Sequence, residues 1–164
     1  MDQTTPLEIK GQGNHAGRQV GMKAGFTGTR KGMTTEQFYA VEYLLRKLPI
    51  SEAHHGLCIG SDGEFAALFR FSHRGKRIVG HPPVKQDYLD DSFCDEYRVP
   101  KSYYARNRDI VDDTDFLIAT PKDDFLTGGT GYTILYATKK NKPVFHVQRN
   151  GNIIKNGPAL KGYP

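Results

Sequence analysis

Met22-Lys23-Ala24-Gly25-Phe26-Thr27-Gly28-Thr29-Arg30-Lys31-Gly32 reads as a buried strand running into a glycine turn that carries two hydroxyls and two cations. A helix follows: Phe38, Val41, Leu44, Leu45 and Leu48 recur at spacings of three and four, which puts them on one face. Thr34 with Gln37 fits a capping box, and Pro49 stops the run. Strand, glycine turn and amphipathic helix in that order open a βα unit.

The rest of the chain repeats the alternation. Strands are predicted at about 22–27, 54–60, 77–81, 115–120 and 143–148, and helices at about 35–48, 63–74, 102–112 and 131–141. Phe65, Leu68 and Phe69 give the second helix its inner face. In the last helix Ile134, Leu135 and Ala137 are expected inward, with Lys139, Lys140 and Lys142 at the end favoured by the helix dipole. Strands separated by helices imply right-handed crossovers, so the expected fold is a three-layer α/β sandwich around a mainly parallel five-stranded sheet. Residues 1–21, broken by Gly11, Gly13, Gly17 and Gly21, read as a flexible arm; 22–150 form the domain and 151–164 a tail.

With 164 residues, 37% of them hydrophobic and 25% charged, the chain suits one ordinary domain and excludes a multidomain machine. No apolar run approaches the roughly 20 residues of a membrane span, and the N-terminal residues lack a signal-like hydrophobic block. A cytoplasmic protein without membrane contact is expected, with Cys58 and Cys94 reduced and Cys58 a small buried hydrophobe. The net charge of +5 is concentrated late, since no acid follows Asp124 while Lys139, Lys140, Lys142, Arg149, Lys155 and Lys161 do. Asp87, Asp90, Asp91, Asp95 and Glu96 would repel a phosphate backbone, so a nucleic-acid partner is not expected.

Ligands of an open parallel sheet bind beyond the carboxyl ends of its strands, which directs attention to four segments. Gly28, Thr29 and Arg30, with Lys31, form a turn able to bring backbone N–H groups and positive charge to an anion. Gly60, Ser61, Asp62 and Glu64 place two carboxylates at the same end. Their bland role is helix capping by Ser61 or Asp62; their functional role would be holding ribose hydroxyls or general acid–base work. Gly128, Gly129, Thr130 and Gly131 open the last helix as a second phosphate cradle, and their clustering costs backbone entropy that close ligand approach would explain. Arg106 and Asn107, beside Arg108, could supply a bidentate guanidinium to a phosphate. His54 and His55 are neighbours on a strand and so point to opposite faces; no metal site and no cofactor are expected.

Gly25-Phe26-Thr27-Gly28-Thr29-Arg30, Gly60-Ser61-Asp62, Arg106-Asn107-Arg108-Asp109 and the Gly128–Gly131 turn together resemble the SLOG superfamily of Rossmann-like domains, over about residues 22 to 148. Its members include lonely-guy phosphoribohydrolases, the DNA-processing protein A family and molybdenum-cofactor carrier proteins. The resemblance implies a Rossmann-like sandwich that holds a nucleotide or nucleotide-derived ligand, often as a homodimer. It assigns phosphate to Gly128, Gly129, Thr130 and Gly131. The hydrolases' Gly-Gly-x-Gly-Thr-x-Glu run is broken here, with Tyr132 in the Thr slot and Ile134 in the Glu slot.

Two functions follow. The leading one is a nucleotide-binding protein that senses, carries or sequesters a nucleotide or cyclic nucleotide-type signal. The other is a nucleoside monophosphate N-glycosidase, phosphoribohydrolase or deoxyribosyltransferase-like enzyme, for which Glu64 or Asp62 would be the catalytic acid.

Overall fold

In a computed structural model, which describes residues 21–160, the chain runs β1 (Met22–Gly28), α1 (Thr35–Lys47), β2 (Ile50–His55), α2 (Ser61–Ser72), β3 (Arg77–Gly80) and β4 (Glu96–Tyr97). It continues as α3 (Tyr103–Asp112), β5 (Phe116–Thr120), α4 (Gly128–Lys139), β6 (Val144–Val147) and β7 (Ile153–Asn156). One sheet takes all the strands in the order β4-β3-β2-β1-β5-β6-β7, parallel except for β7, which runs antiparallel to β6. The direction of winding reverses between β1 and β5, so the loops leaving these two strands diverge and open a crevice.

The period of two along β5 assigns the layers. Phe116 and Ile118 join the core under α1 and α2, built from Phe26, Val41, Leu44, Leu45, Phe65 and Phe69. Leu117 and Ala119 join the opposite one with Ile110, Val111, Ile134 and Ala137 of α3 and α4. Helices therefore cover both faces, as the three-layer Rossmann-like reading requires. The capping box is present: Gln37 N–H donates to Thr34 Oγ1 (3.1 Å) and Thr34 N–H to Gln37 Oε1 (3.0 Å). Gln37 is itself buried, and its Nε2 donates to the carbonyls of Pro121 and Val147, both at 3.0 Å, which ties α1 to the ends of β5 and β6.

Among the described residues the sheet has seven strands, not five. β4 is two residues long and too short to show a period, and β7 lies in the segment read as a tail. The predicted strand 54–60 is displaced: β2 covers Ile50–His55, and the apolar run around Leu57 is a loop in which Leu57 takes φ +56°. The polar residues that hid β2 are buried because they satisfy one another. His54 Nε2 is 2.5 Å from Glu52 Oε1, His54 Nδ1 is 2.8 Å from His81 Nε2, and Arg77 grips Glu52 Oε2 at 2.7 Å. Burial and the neighbouring His54 push His81 down to about 3, so its imidazole is neutral. α4 begins with the glycines, a turn earlier than expected, and Leu135 faces outward, 54% exposed. The predicted arm lies outside the described residues apart from Gly21.

Candidate functional site

A cavity of about 470 Å3 occupies the crevice between the ends of β1 and β5, a size suited to a small molecule. Its walls are the turn after β1, the Gly56–Cys58 loop, Asp62, one side of α3, Lys122 and the first turn of α4. Gly28, Thr29, Arg30, Asp62, Arg106, Asn107, Gly128, Gly129 and Thr130, singled out in the sequence, converge here; Gly60, Ser61, Glu64 and Gly131 do not line it.

The turn after β1 is set by contacts only glycine permits. A Cβ on Gly28 would lie 2.4 Å from Thr120 Oγ1 and 2.5 Å from Ser61 Cβ, so β1 passes this point only without a side chain. Gly60, at φ +86°, abuts the Arg30 carbonyl, which an added Cβ would meet at 2.2 Å. Ser61 donates to the Thr29 carbonyl through both N–H (3.1 Å) and Oγ (2.8 Å). Gly60 and Ser61 thus brace the turn from behind, and the N-cap of α2 is Gly60 rather than Ser61 or Asp62. Glu64 is part of the same brace, accepting from Met33 N–H at 2.8 Å.

The α4 glycines divide in the same manner. Gly128, at φ +69°, has open space where a Cβ would stand, and one on Gly129 would meet only Asn107 Nδ2 at 3.7 Å. These two expose the first turn of α4, whose N–H groups lack intrahelical acceptors and carry the positive end of the helix dipole. Gly131 is instead pressed on Leu126, whose carbonyl carbon and oxygen lie 2.0 Å from the Cβ position. Its role is packing.

Arg106, only 5% exposed, is the centre of the cavity wall. Its guanidinium donates to the carbonyls of Gly56 and His81, to Asn107 Oδ1 (2.6 Å) and to Cys58 Sγ (3.2 Å), and lies 5.3 Å from the Tyr103 ring centroid. Every one of these hydrogen-bond partners is uncharged, so the buried cation has no ion-pair partner in them. Arg108 points elsewhere, donating to Tyr132 OH at 2.8 Å. Arg30 lies over the Tyr88 ring (4.1 Å) and near that of Tyr103 (5.4 Å).

The carboxylate in the lining is Asp62. Burial pushes its carboxyl above the ordinary value of 3.8, against the opposing pull of His55 and Arg106 and a hydrogen bond from Cys58 N–H at 3.1 Å. Against it stand Arg30, Lys31, Arg106 and Lys122. Lys122 was missed in the sequence, although it stands two residues past β5, in a loop at the carboxyl end of the sheet. Cys58 is buried as expected, yet it also lines the cavity.

No known family model matches the chain, and no curated protein does. Solved structures do. The molybdenum cofactor binding protein from the phototrophic bacterium Rippkaea orientalis superposes with a TM-score of 0.61 at 20% identity, covering 80% of this chain and 78% of that one. The molybdenum cofactor carrier protein of Chlamydomonas reinhardtii gives 0.57 at 18%, over 77% and 76%. DNA processing protein A from Streptococcus pneumoniae gives 0.60 at 17%, over 77% of this chain and 50% of that one. The chain has the Rossmann-like fold that these structures share. Among its described residues no helix is long and apolar enough to cross a membrane.

Proposed function

We propose that this SLOG-fold chain is a binding protein that carries or senses a small phosphate-bearing molecule, nucleotide or nucleotide-derived, in the β1/β5 crevice. The observation that carries this reading is Arg106: a buried guanidinium held by neutral acceptors at the wall of a cavity with three more cations and one carboxylate. An anion there gains a charge-assisted hydrogen bond in a low-dielectric site, together with the N–H groups of α4. Two of the similar structures are described as molybdenum cofactor binding or carrier proteins, which supports carriage as the coarser role. Ile134, in the slot of the hydrolases' Glu, is 2% exposed in the core under α3 and α4, where it can offer a ligand no proton.

Mass spectrometry of small molecules released on denaturing the purified protein tests this. An intact phosphate-bearing molecule is expected, bound by the parent and lost from Arg30→Ala. That exposed side chain can be removed without disturbing the core. Equal retention by parent and variant would refute the assignment.

Asp62 favours a second reading, cleavage of an N-glycosidic bond, because a buried carboxyl with a raised pKa at a cavity wall can act as general acid. Glu64, engaged with Met33 N–H, is in no position to share that role. Free base accumulating with the parent and absent with Asp62→Asn would establish the enzyme and displace the carrier.

A further inference from the structure

We propose that His54, His81 and Asp113 bind a first-row divalent transition-metal ion, for which Zn2+ and Co2+ are the probes, and that this ion locks β2, the end of β3 and the end of α3 together. The site is independent of what the crevice holds. His54 Nδ1, His81 Nε2 and an Asp113 carboxylate oxygen lie within 4.8 Å of one another. Two imidazole nitrogens and one carboxylate are a donor set for borderline divalent ions, and three protein ligands leave a position for water.

The surroundings of His54 strengthen the case. Its Nε2 lies 2.5 Å from Glu52 Oε1, and a carboxylate accepts, so Nε2 carries the proton and Nδ1 presents a lone pair towards His81. A carboxylate behind a histidine in this way orients the ring and raises its basicity as a ligand. Glu52 is itself fixed by Arg77, at 3.1 Å from Nε and 2.7 Å from NH2. The ring nitrogens of His54 and His81 now stand 2.8 Å apart. An ion about 2.0–2.1 Å from each in tetrahedral geometry would set them roughly 3.3 Å apart, a shift of about half an ångström.

His54 and His81 are 0% and 1% exposed, whereas Asp113, at the C-cap of α3, is open to solvent and marks the side of entry. Arg98 Nε stands 3.5 Å from Asp113 Oδ2 and its NH1 2.6 Å from Glu96 Oε1. The ion takes over the charge partnership of Asp113 and leaves Arg98 on Glu96. Sequence spacing could not show the site. His54 and His55 do part company, His55 Nδ1 accepting from Leu57 N–H at 3.1 Å, while the partner of His54 comes from a different strand end.

The test is titration of chelator-treated, full-length protein with Co2+, followed by its visible d–d absorption and by displacement with Zn2+. One equivalent is expected to bind, with Asp113→Asn weakening it at least tenfold, Glu52→Gln about 10- to 100-fold, and His81→Gln abolishing it. Zn2+ should raise the Tm of the parent and not of His81→Gln. No saturable binding to the parent would overturn the proposal, and so would affinity unchanged in Asp113→Asn. Asp113 is exposed, so its variant decides the matter even where His81→Gln does not fold.

Discussion

Gly129→Ala and Gly131→Ala change neighbouring positions of one turn by the same methyl group and should have opposite consequences. At Gly131 the new Cβ would lie 2.0 Å from the Leu126 carbonyl carbon and oxygen, where ordinary contact needs well over 3 Å. Backbone must yield, and Leu126 is already held at φ +52°. Overpacking of this kind costs ~1–3 kcal/mol, and the backbone origin of the clash puts Gly131→Ala at the upper end. At roughly 2–4 °C per kcal/mol for a chain of this size, its Tm should fall by roughly 6–12 °C. At Gly129 the nearest atom beyond the helix's own backbone is Asn107 Nδ2, at 3.7 Å, and alanine relieves glycine's helix penalty of ~0.5–1 kcal/mol. Its Tm should hold or rise by roughly 1–4 °C. The methyl then stands where the phosphate would approach α4, and affinity for the molecule recovered from the parent should fall at least tenfold, ~1.4 kcal/mol. Calorimetric melts and equilibrium binding on both variants read this directly. Gly131→Ala melting with the parent, or Gly129→Ala binding as tightly as the parent, would refute the division of the turn into a packing and a ligand glycine.

Other outcomes follow from the same contacts. Arg106→Lys keeps the charge but cannot reach Gly56, His81, Asn107 and Cys58 together; it should lose the ligand and also ~1–3 kcal/mol of stability, measured by urea melts, so this position does not separate binding from folding. Gln37→Leu strands the Pro121 and Val147 carbonyls and half of the capping box, and should lower stability by ~2–4 kcal/mol in the same melts. Asp62 has a folded-state pKa above its unfolded value, so the stability it confers is complete below the ordinary carboxylate pKa and is lost as pH rises through the folded value. Asp62→Asn should therefore be more stable than the parent at neutral pH, with the two converging in acid; a constant difference across a pH series of melts would contradict this.

What could be read from sequence alone was what local pattern encodes. α1, with its stripe from Val41 to Leu48 and its Thr34–Gln37 cap, was legible because helix period and capping chemistry are properties of consecutive residues. β2 was not. Its Glu52, His54 and His55 mimic surface positions; Arg77 of β3 and His81 just past it make the burial of Glu52 and His54 tolerable, and His55 is met by Leu57 N–H and the Phe93 carbonyl. The glycine turns announced a site, but the division of labour within them was hidden, since whether a glycine faces a ligand or a neighbour depends on what the fold places beside it. Lys122 escaped for the same reason: a lysine in a loop acquires meaning only when the switch between β1 and β5 brings it opposite Arg30 and Arg106.

The two borders of the sheet have a consequence for association between copies. A strand border offers unpaired amides and carbonyls to any passing extended chain. Here one border is the two-residue β4, closely followed by Pro100, and the other is the four-residue β7, with Lys155 and Asn156 near its end. Neither provides a long, flat apolar template, so this architecture resists the runaway stacking that leads to fibres. The surfaces left for contact between copies are the helical faces, where association depends on side chains rather than on open backbone hydrogen bonds.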